Sequence, residues 1–276
     1  ISNSSAIEIA LGWKNYLYLD VTGRNDWSST LPANSRSYFY PSVGLSTILT
    51  DMISGLPAVI SYAKLRASYA KVGSSASPYQ LNRSASFAGT GGNFGFITLG
   101  GILPNADLKP ETTEGYELGL DTRLFNGRLG LDITAYKTNT FDQLFTIGLP
   151  SGSGAASFFT NGGDVQNTGI ELVLSATPIE NANGLTWDIS SNFGKNKNWV
   201  NKISDERPRI VVGGDPYMSD FVVAQGEEFG NIYTRGWARD AQGRVIVAAN
   251  GMPTLTPGRT VLAANFNPDW MGAITN

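Results

Sequence analysis

An all-β, antiparallel chain with the pattern of a transmembrane β-barrel is the fold class that this sequence predicts, and three observations carry it. Apolar and polar residues alternate with period two along at least seven segments. The links between those segments alternate between short and long, as in outer-membrane barrels with short periplasmic turns and long extracellular loops. The composition is turn-rich and poor in charge, with 32 Gly, 11% aromatic and 16% charged residues in 276, against ~25% charged in an ordinary soluble domain. The longest apolar run, Val245 to Ala249, is far short of the ~20 residues of a membrane helix, whereas a membrane strand needs only ~9–11 with one apolar face.

In chain order, Ile7, Ile9, Leu11 and Trp13 lead through Lys14-Asn15 into Leu17, Leu19 and Val21, which alternate with Tyr16, Tyr18, Asp20 and Thr22. Tyr38, Phe39 and Tyr40 enter another strand, and Ala63, Leu65, Ala67 and Tyr69 alternate with Lys64, Arg66 and Ser68. The strongest signal is a long hairpin. Tyr116, Leu118, Leu120, Thr122 and Leu124 alternate with Glu117, Gly119, Asp121 and Arg123; Leu129, Leu131, Ile133 and Ala135 alternate with Gly130, Asp132, Thr134 and Tyr136. Between them Asn126-Gly127 is expected to occupy the two positive-φ centres of a type I′ turn. Ile170, Leu172, Leu174 and Ala176 then turn at residues 178–184 into Trp187, Ile189 and Phe193. Short links fall at 14–15, 126–127 and 178–184, with a longer one at 50–60; long links fall at 26–37, 73–113, 139–167 and 198–267. At least seven strands carry the period-two pattern.

Alternation fixes the faces: Leu118, Leu120, Leu129, Leu131 and Ile133 are expected to point outward to lipid, and Glu117, Asp121, Arg123 and Asp132 into the lumen. A soluble sandwich or jelly roll shares that pattern. Trp13, Tyr16, Tyr18, Trp187 and the Tyr38-Phe39-Tyr40 run lie at strand ends, as an interfacial aromatic girdle requires.

Several functions are excluded. With no Cys and no His there is no disulfide, thiolate nucleophile, imidazole metal site or Ser-His-Asp triad. A net charge of -3 argues against a nucleic-acid partner. The carboxylates Glu111, Glu114, Glu117, Asp205-Glu206 and Glu227-Glu228 read as solvated loop charges plus a lumen-facing Glu117 rather than a glycosidase pair. No Gly-rich stretch is followed by Gly-Lys-Ser/Thr, so none forms a phosphate-binding loop. The segment Asp240-Ala241-Gln242-Gly243 lacks the ligands of a calcium loop. No catalytic residue, cofactor or metal is expected, and the chain is not read as an enzyme.

Seven motifs then occur in one order: GRNDWSSTLP (23–32) with SYFYPSVGLS (37–46), KLRASYAKVG (64–73), NADLKPETTEGYELGLD (105–121), VQNTGIELVLSATPI (165–179), LTWDISSNFGKNKN (185–198) and NPDWMGAITN (267–276). Their order resembles the barrel of SusC/RagA-type TonB-dependent outer-membrane transporters of the Bacteroidetes. The resemblance implies outer-membrane import of glycans, peptides or related oligomers, energised through the TonB complex and capped by a SusD-like surface lipoprotein. It also implies that residues 1–276 are part of one barrel domain, a segment of about nine strands of a larger barrel, with plug domain, TonB box and C-terminal strands outside the chain. Such an open segment is expected to aggregate in water. The alternative is a secreted all-β carbohydrate-binding module or adhesin, which would stay folded in aqueous buffer.

The long links are rich in rings that can stack on sugars or peptide side chains, including Trp27, Phe87, Phe158, Phe159, Tyr217, Phe221 and Phe229, with Asn93, Asn161, Arg207, Arg209 and Arg235 among them. Trp199, Tyr233 and Trp237 are the substrate-binding candidates. The competing reading is that these rings pack the loops together.

Overall fold

A computed structural model describes residues 2–91, 94–150, 152–204, 207–215 and 217–276. In chain order the elements are β1 (Ser2–Trp13), β2 (Leu17–Ser28), β3 (Ser37–Ile48), α1 (Leu49–Met52), β4 (Ile60–Ser74), β5 (Ala85–Gly91), β6 (Phe94–Leu99), β7 (Ile102–Leu103) and β8 (Glu111–Leu124). They continue with β9 (Leu129–Gly148), β10 (Ser157–Glu180), β11 (Thr186–Lys202), β12 (Arg209–Asp215), β13 (Ser219–Ala224), β14 (Asn231–Thr234), β15 (Val261–Asn265) and β16 (Met271–Thr275).

The main sheet is ten-stranded and runs β1-β2-β3-β4-β8-β9-β10-β11-β16, with the short β7 added parallel to β10. Every neighbouring pair along that path is antiparallel. The sheet is open among the described residues, with β1 and β16 at its edges. Two of the long links carry sheets of their own: β5 pairs with β6, and β12-β13-β14-β15 form a four-stranded sheet.

Three links differ from the sequence expectation. Residues 139–167 are mostly strand, because β9 and β10 stay paired up to Gly148 opposite Ser157 and leave a link of only residues 149–156. Polar residues interleave with Phe141, Leu144, Phe145 and Ile147, and the ladder skips a pair at Asp142 (φ 52°), so no single period-two face runs through the stretch while backbone pairing persists. Likewise β11 runs on through Lys202, so the last long link starts later. In the hairpin between β8 and β9, Leu124 pairs with Leu129 and the left-handed φ values begin one residue early, at Phe125 (55°), Asn126 (58°) and Gly127 (89°). Cross-strand apolar pairs such as Leu120 with Ile133 set the register, and the turn accommodates it.

Residues directly opposite one another share a face, so register traces rows across the sheet. One row reads Leu11, Leu19, Leu45, Ala67, Leu118, Ala135, Ile170 and then Lys195. The next row towards the long links reads Ile9, Val21, Val43, Tyr69 and Tyr116, then turns polar at Lys137, Thr168 and Lys197. Towards the short turns the apolar character extends instead on the later strands, through Leu131, Leu174 and Ile274, and through Leu124, Leu129, Ala176 and Ile189. The apolar band therefore crosses the ladder diagonally. A horizontal band on tilted strands gives this pattern. Its members are open to the surroundings, with Leu11 57%, Leu118 55% and Ile274 78% exposed.

The opposite face is polar, and side chains there bridge next-but-one strands. Arg66 of β4 crosses over Gly119 of β8 to donate to Asp132 of β9 at 2.6 and 3.1 Å and to Thr134 at 2.6 Å. A Cβ at Gly119 would lie 2.4 Å from the Arg66 side chain, so only glycine leaves the passage open. Tyr136 of β9 crosses Gly169 of β10 in the same way and donates to Asn196 of β11 at 3.3 Å.

Candidate functional site

The buried cores of the chain lie at the long-link end, where the links pack against strand tops. Leu31, Ala76 and Leu108 form one cluster with Tyr38, Leu81, Leu144 and Phe159; Val200, Ile203 and Val223 form the other with Val165, Ile210 and Phe229. Tyr38, Val165 and Val200 have the parity of the polar face that bears Arg66 and Asp132. The links thus fold over that face rather than over the apolar band.

Hydrogen bonds hold them there. Asn161 receives the Lys109 N–H at 2.8 Å and donates to the carbonyls of Lys109 and Asp142, both at 2.8 Å. Arg83 ties two links together, donating to the Gly100 and Gly154 carbonyls at 2.8 and 2.6 Å. The four-stranded sheet is anchored to the edge of β11: Val200 N–H donates to the Glu227 carbonyl at 2.9 Å and Gly226 N–H to the Val200 carbonyl at 2.8 Å. A cleft of about 770 Å³ opens between these links and the tops of β9 to β11, lined by Glu111, Gln143, Val200, Arg207, Arg209 and Phe229 among others. Convergent polar groups on an apolar wall suit a ligand that presents both hydrogen-bonding and apolar surface.

The three candidate rings lie in different settings. Trp199 is a strand residue near the top of β11, not a link residue, and its parity places it on the face of the apolar band, beside Lys197, whose ammonium sits 5.1 Å from the ring centroid. Tyr233 is in β14; its hydroxyl donates to Glu227 Oε2 at 2.6 Å and the Arg209 guanidinium lies 5.0 Å from its ring. The bond to Glu227, then burial and the carboxylate charge, raise the phenol above its ordinary range. Trp237 is 52% exposed and bridges to Leu255. Among the described residues no ring contact joins the three.

Trp237 begins a compact turn of three extended segments. Ala238 N–H donates to the Thr254 carbonyl, Thr254 N–H to the Ile246 carbonyl and Ile246 N–H to the Ala238 carbonyl, at 2.7, 2.9 and 2.8 Å. Gly243 (φ 82°) and Gly251 (φ 81°) make its corners. Asp240 is consumed by this turn: its Oδ1 accepts the Arg244 and Gln242 N–H groups, both at 2.9 Å, and its Oδ2 the Arg244 Nε at 2.8 Å. Those bonds, the Arg244 N–H foremost, hold its carboxyl below the usual range.

Many rings flagged by the sequence do pack. Phe221, Phe229 and Phe266 meet edge to face, with centroids 5.5, 5.3 and 6.0 Å apart. Phe87 and Tyr217 are open to solvent. Sequence reasoning missed Tyr79, which is 94% exposed and has a φ of 67°; its only sequence signal is its place in the long link 73–113. Asp205-Glu206 and Asn93 lie outside the described residues.

A family model described as TonB dependent receptor-like, beta-barrel matches residues 6–270. TonB-dependent receptor P3 of Formosa agariphila is 30% identical over 245 residues, covering 84% of this chain and 24% of the receptor. TonB-dependent receptor SusC of Bacteroides thetaiotaomicron is 34% identical over 125 residues, covering 45% of this chain and 11% of that protein. Among solved structures, the RagAB peptide transporter superposes with a TM-score of 0.82 at 22% identity, over 99% of this chain and 31% of that one. The chain spans about a quarter of the length of the first curated relative, 24%.

Proposed function

The chain belongs to the family of TonB-dependent receptor-like β-barrels of the outer membrane, and from that premise we propose that it builds part of the wall and mouth of a SusC/RagA-type importer. Residues 1–276 are then one portion of a single barrel domain, and the plug domain, TonB box and remaining strands belong to other parts of the polypeptide. The diagonal apolar band, backed by a polar face over which the links fold, is the observation that carries this reading. It fits a tilted wall with lipid outside and a covered lumen inside.

The cargo is an oligosaccharide, a peptide or a related oligomer, taken up with energy from the TonB complex and handed over by a SusD-like surface lipoprotein. Peptides stand beside glycans because a structural neighbour is described as a peptide transporter. Tyr233 and Trp237, on links over the mouth, are the ring contacts for cargo or lid, joined by the exposed Tyr79. Trp199, on the outward row of β11 where wall and links meet, can reach the lid but not cargo in the lumen. No catalytic group is assigned; family members are receptors and transporters.

The test uses the complete transporter in its own membrane. Tyr233→Ala and Trp237→Ala should each lower uptake of labelled oligomer or retention of the lipoprotein, with normal barrel assembly. Loss of assembly instead would make the rings structural, and release of the protein into buffer without detergent would refute the barrel.

A further inference from the structure

Three lysines stand together where the apolar band gives way to polar residues on its long-link side. Lys137 of β9 and Lys197 of β11 face each other across Thr168 of β10, and Lys195 lies one row nearer the band, opposite Ile170. All three are exposed and share the face of Leu118, Ala135 and Phe193. Strand spacing puts Lys137 and Lys197 about 10 Å apart and Lys195 about 7 Å from Lys197, within reach of one multivalent anion. The carboxylates nearby are committed elsewhere or weakly held. Glu114 is paired with Lys71 at 3.0 Å, and Glu228 meets Lys197 at 3.1 Å in an exposed pair, which contributes little in water. Among the described residues Lys137 and Lys195 have no ion-pair partner.

We propose that Lys137, Lys195 and Lys197 form a binding site for a phosphorylated glycolipid of the outer leaflet. Its phosphate esters meet the ammonium groups and its acyl chains lie along Ile170, Leu172 and Phe193. A cationic cluster continuous with an apolar band selects an amphiphile with charge next to its chains; a free anion has no use for the apolar half. The inference rests on the membrane placement above.

The experiment titrates the purified complete transporter in detergent with diphosphorylated hexa-acyl lipid A, its dephosphorylated form and inorganic phosphate, reading occupancy by native mass spectrometry. Diphosphorylated lipid should bind best, and K137Q/K195Q/K197Q should weaken it at least about tenfold, whereas K64Q on the polar face should not. Equal binding by the dephosphorylated lipid, saturable capture of phosphate alone, or an unchanged triple variant would overturn the site. Heat-modifiable gel migration reports assembly. If the triple variant does not assemble, wild-type titrations at rising salt decide: the affinity should fall steadily, and salt-insensitive binding overturns the proposal. A transporter that assembles and imports yet shows no phosphate preference defeats this inference alone; one that needs no detergent defeats the barrel.

Discussion

The link-covered end and the apolar band of the same sheet hide apolar surface by different means. At the covered end Leu31, Leu108, Val200 and Val222 are at most 2% exposed, enclosed by the protein's own links. In the band, Leu11, Leu118 and Ile274 are more than half exposed, and their enclosure comes from the surrounding hydrocarbon. The first region has a packed core as a soluble domain does; the second has none and is complete only in a bilayer. The difference teaches that one period-two pattern serves two solvents, and that only the neighbours across the face distinguish them.

The sharpest way to break the contrast is Leu108→Ala. It removes a fully buried side chain and should destabilise the packing of the links by about 2–5 kcal/mol, seen as faster hydrogen exchange in residues 75–110 while the ladder of β8 to β11 stays protected. Leu118→Arg addresses the band: it should cost about 2–4 kcal/mol if that position lies near the bilayer midplane, read from the urea dependence of folding into vesicles. Hydrogen exchange in the links should be unchanged by it. If Leu118→Arg is harmless in vesicles, the band does not face lipid.

On the polar face, Gly169→Val places a Cβ 2.4 Å from the Tyr136 ring and 2.8 Å from the Lys195 carbonyl, and overpacking of that kind costs about 1–3 kcal/mol. A lower yield of heat-modifiable barrel would register it, with partial rescue by Tyr136→Ala. The smallest effect belongs to Tyr233→Phe, which deletes the part-buried bond to the Glu227 carboxylate for about 1.5 kcal/mol, the low end for a charged partner, measured as local proteolysis near 227–234. The phenol is raised above its ordinary 10.0, so its contribution is intact below that pH and is lost as pH climbs through the folded value. In Tyr233→Phe the loosening of this segment above pH 10 should disappear.

Strand order and facing were legible because Leu118, Leu120, Ile133 and Leu172 obey alternation, and a one-residue slip would move all of them. The stretches 139–148 and 157–167 were not: their side chains are mostly polar or lack a consistent apolar face, so hydropathy has no signal where backbone pairing still operates. The four-stranded sheet within the last link was not legible because β12 and β14 are short and their alternation is broken by glycine and by register shifts. For the candidate site, ring type was readable and ring placement was not. Trp199 and Tyr233 look alike in sequence, yet one lies on the outward row of β11 and the other is tied to Glu227, which depends on the register and on a contact across the links.

Arg66 and Tyr136 also bear on how such a wall is put together. Backbone ladders can zip shut one strand at a time, each needing only its neighbour. Arg66 reaches its partner only when β9 has arrived beyond β8, and Tyr136 only when β11 has arrived beyond β10. Strands β4 to β11 are therefore locked in overlapping triplets, so a newly added edge strand stays reversible until its successor docks, and an out-of-register strand can still leave before it is sealed in.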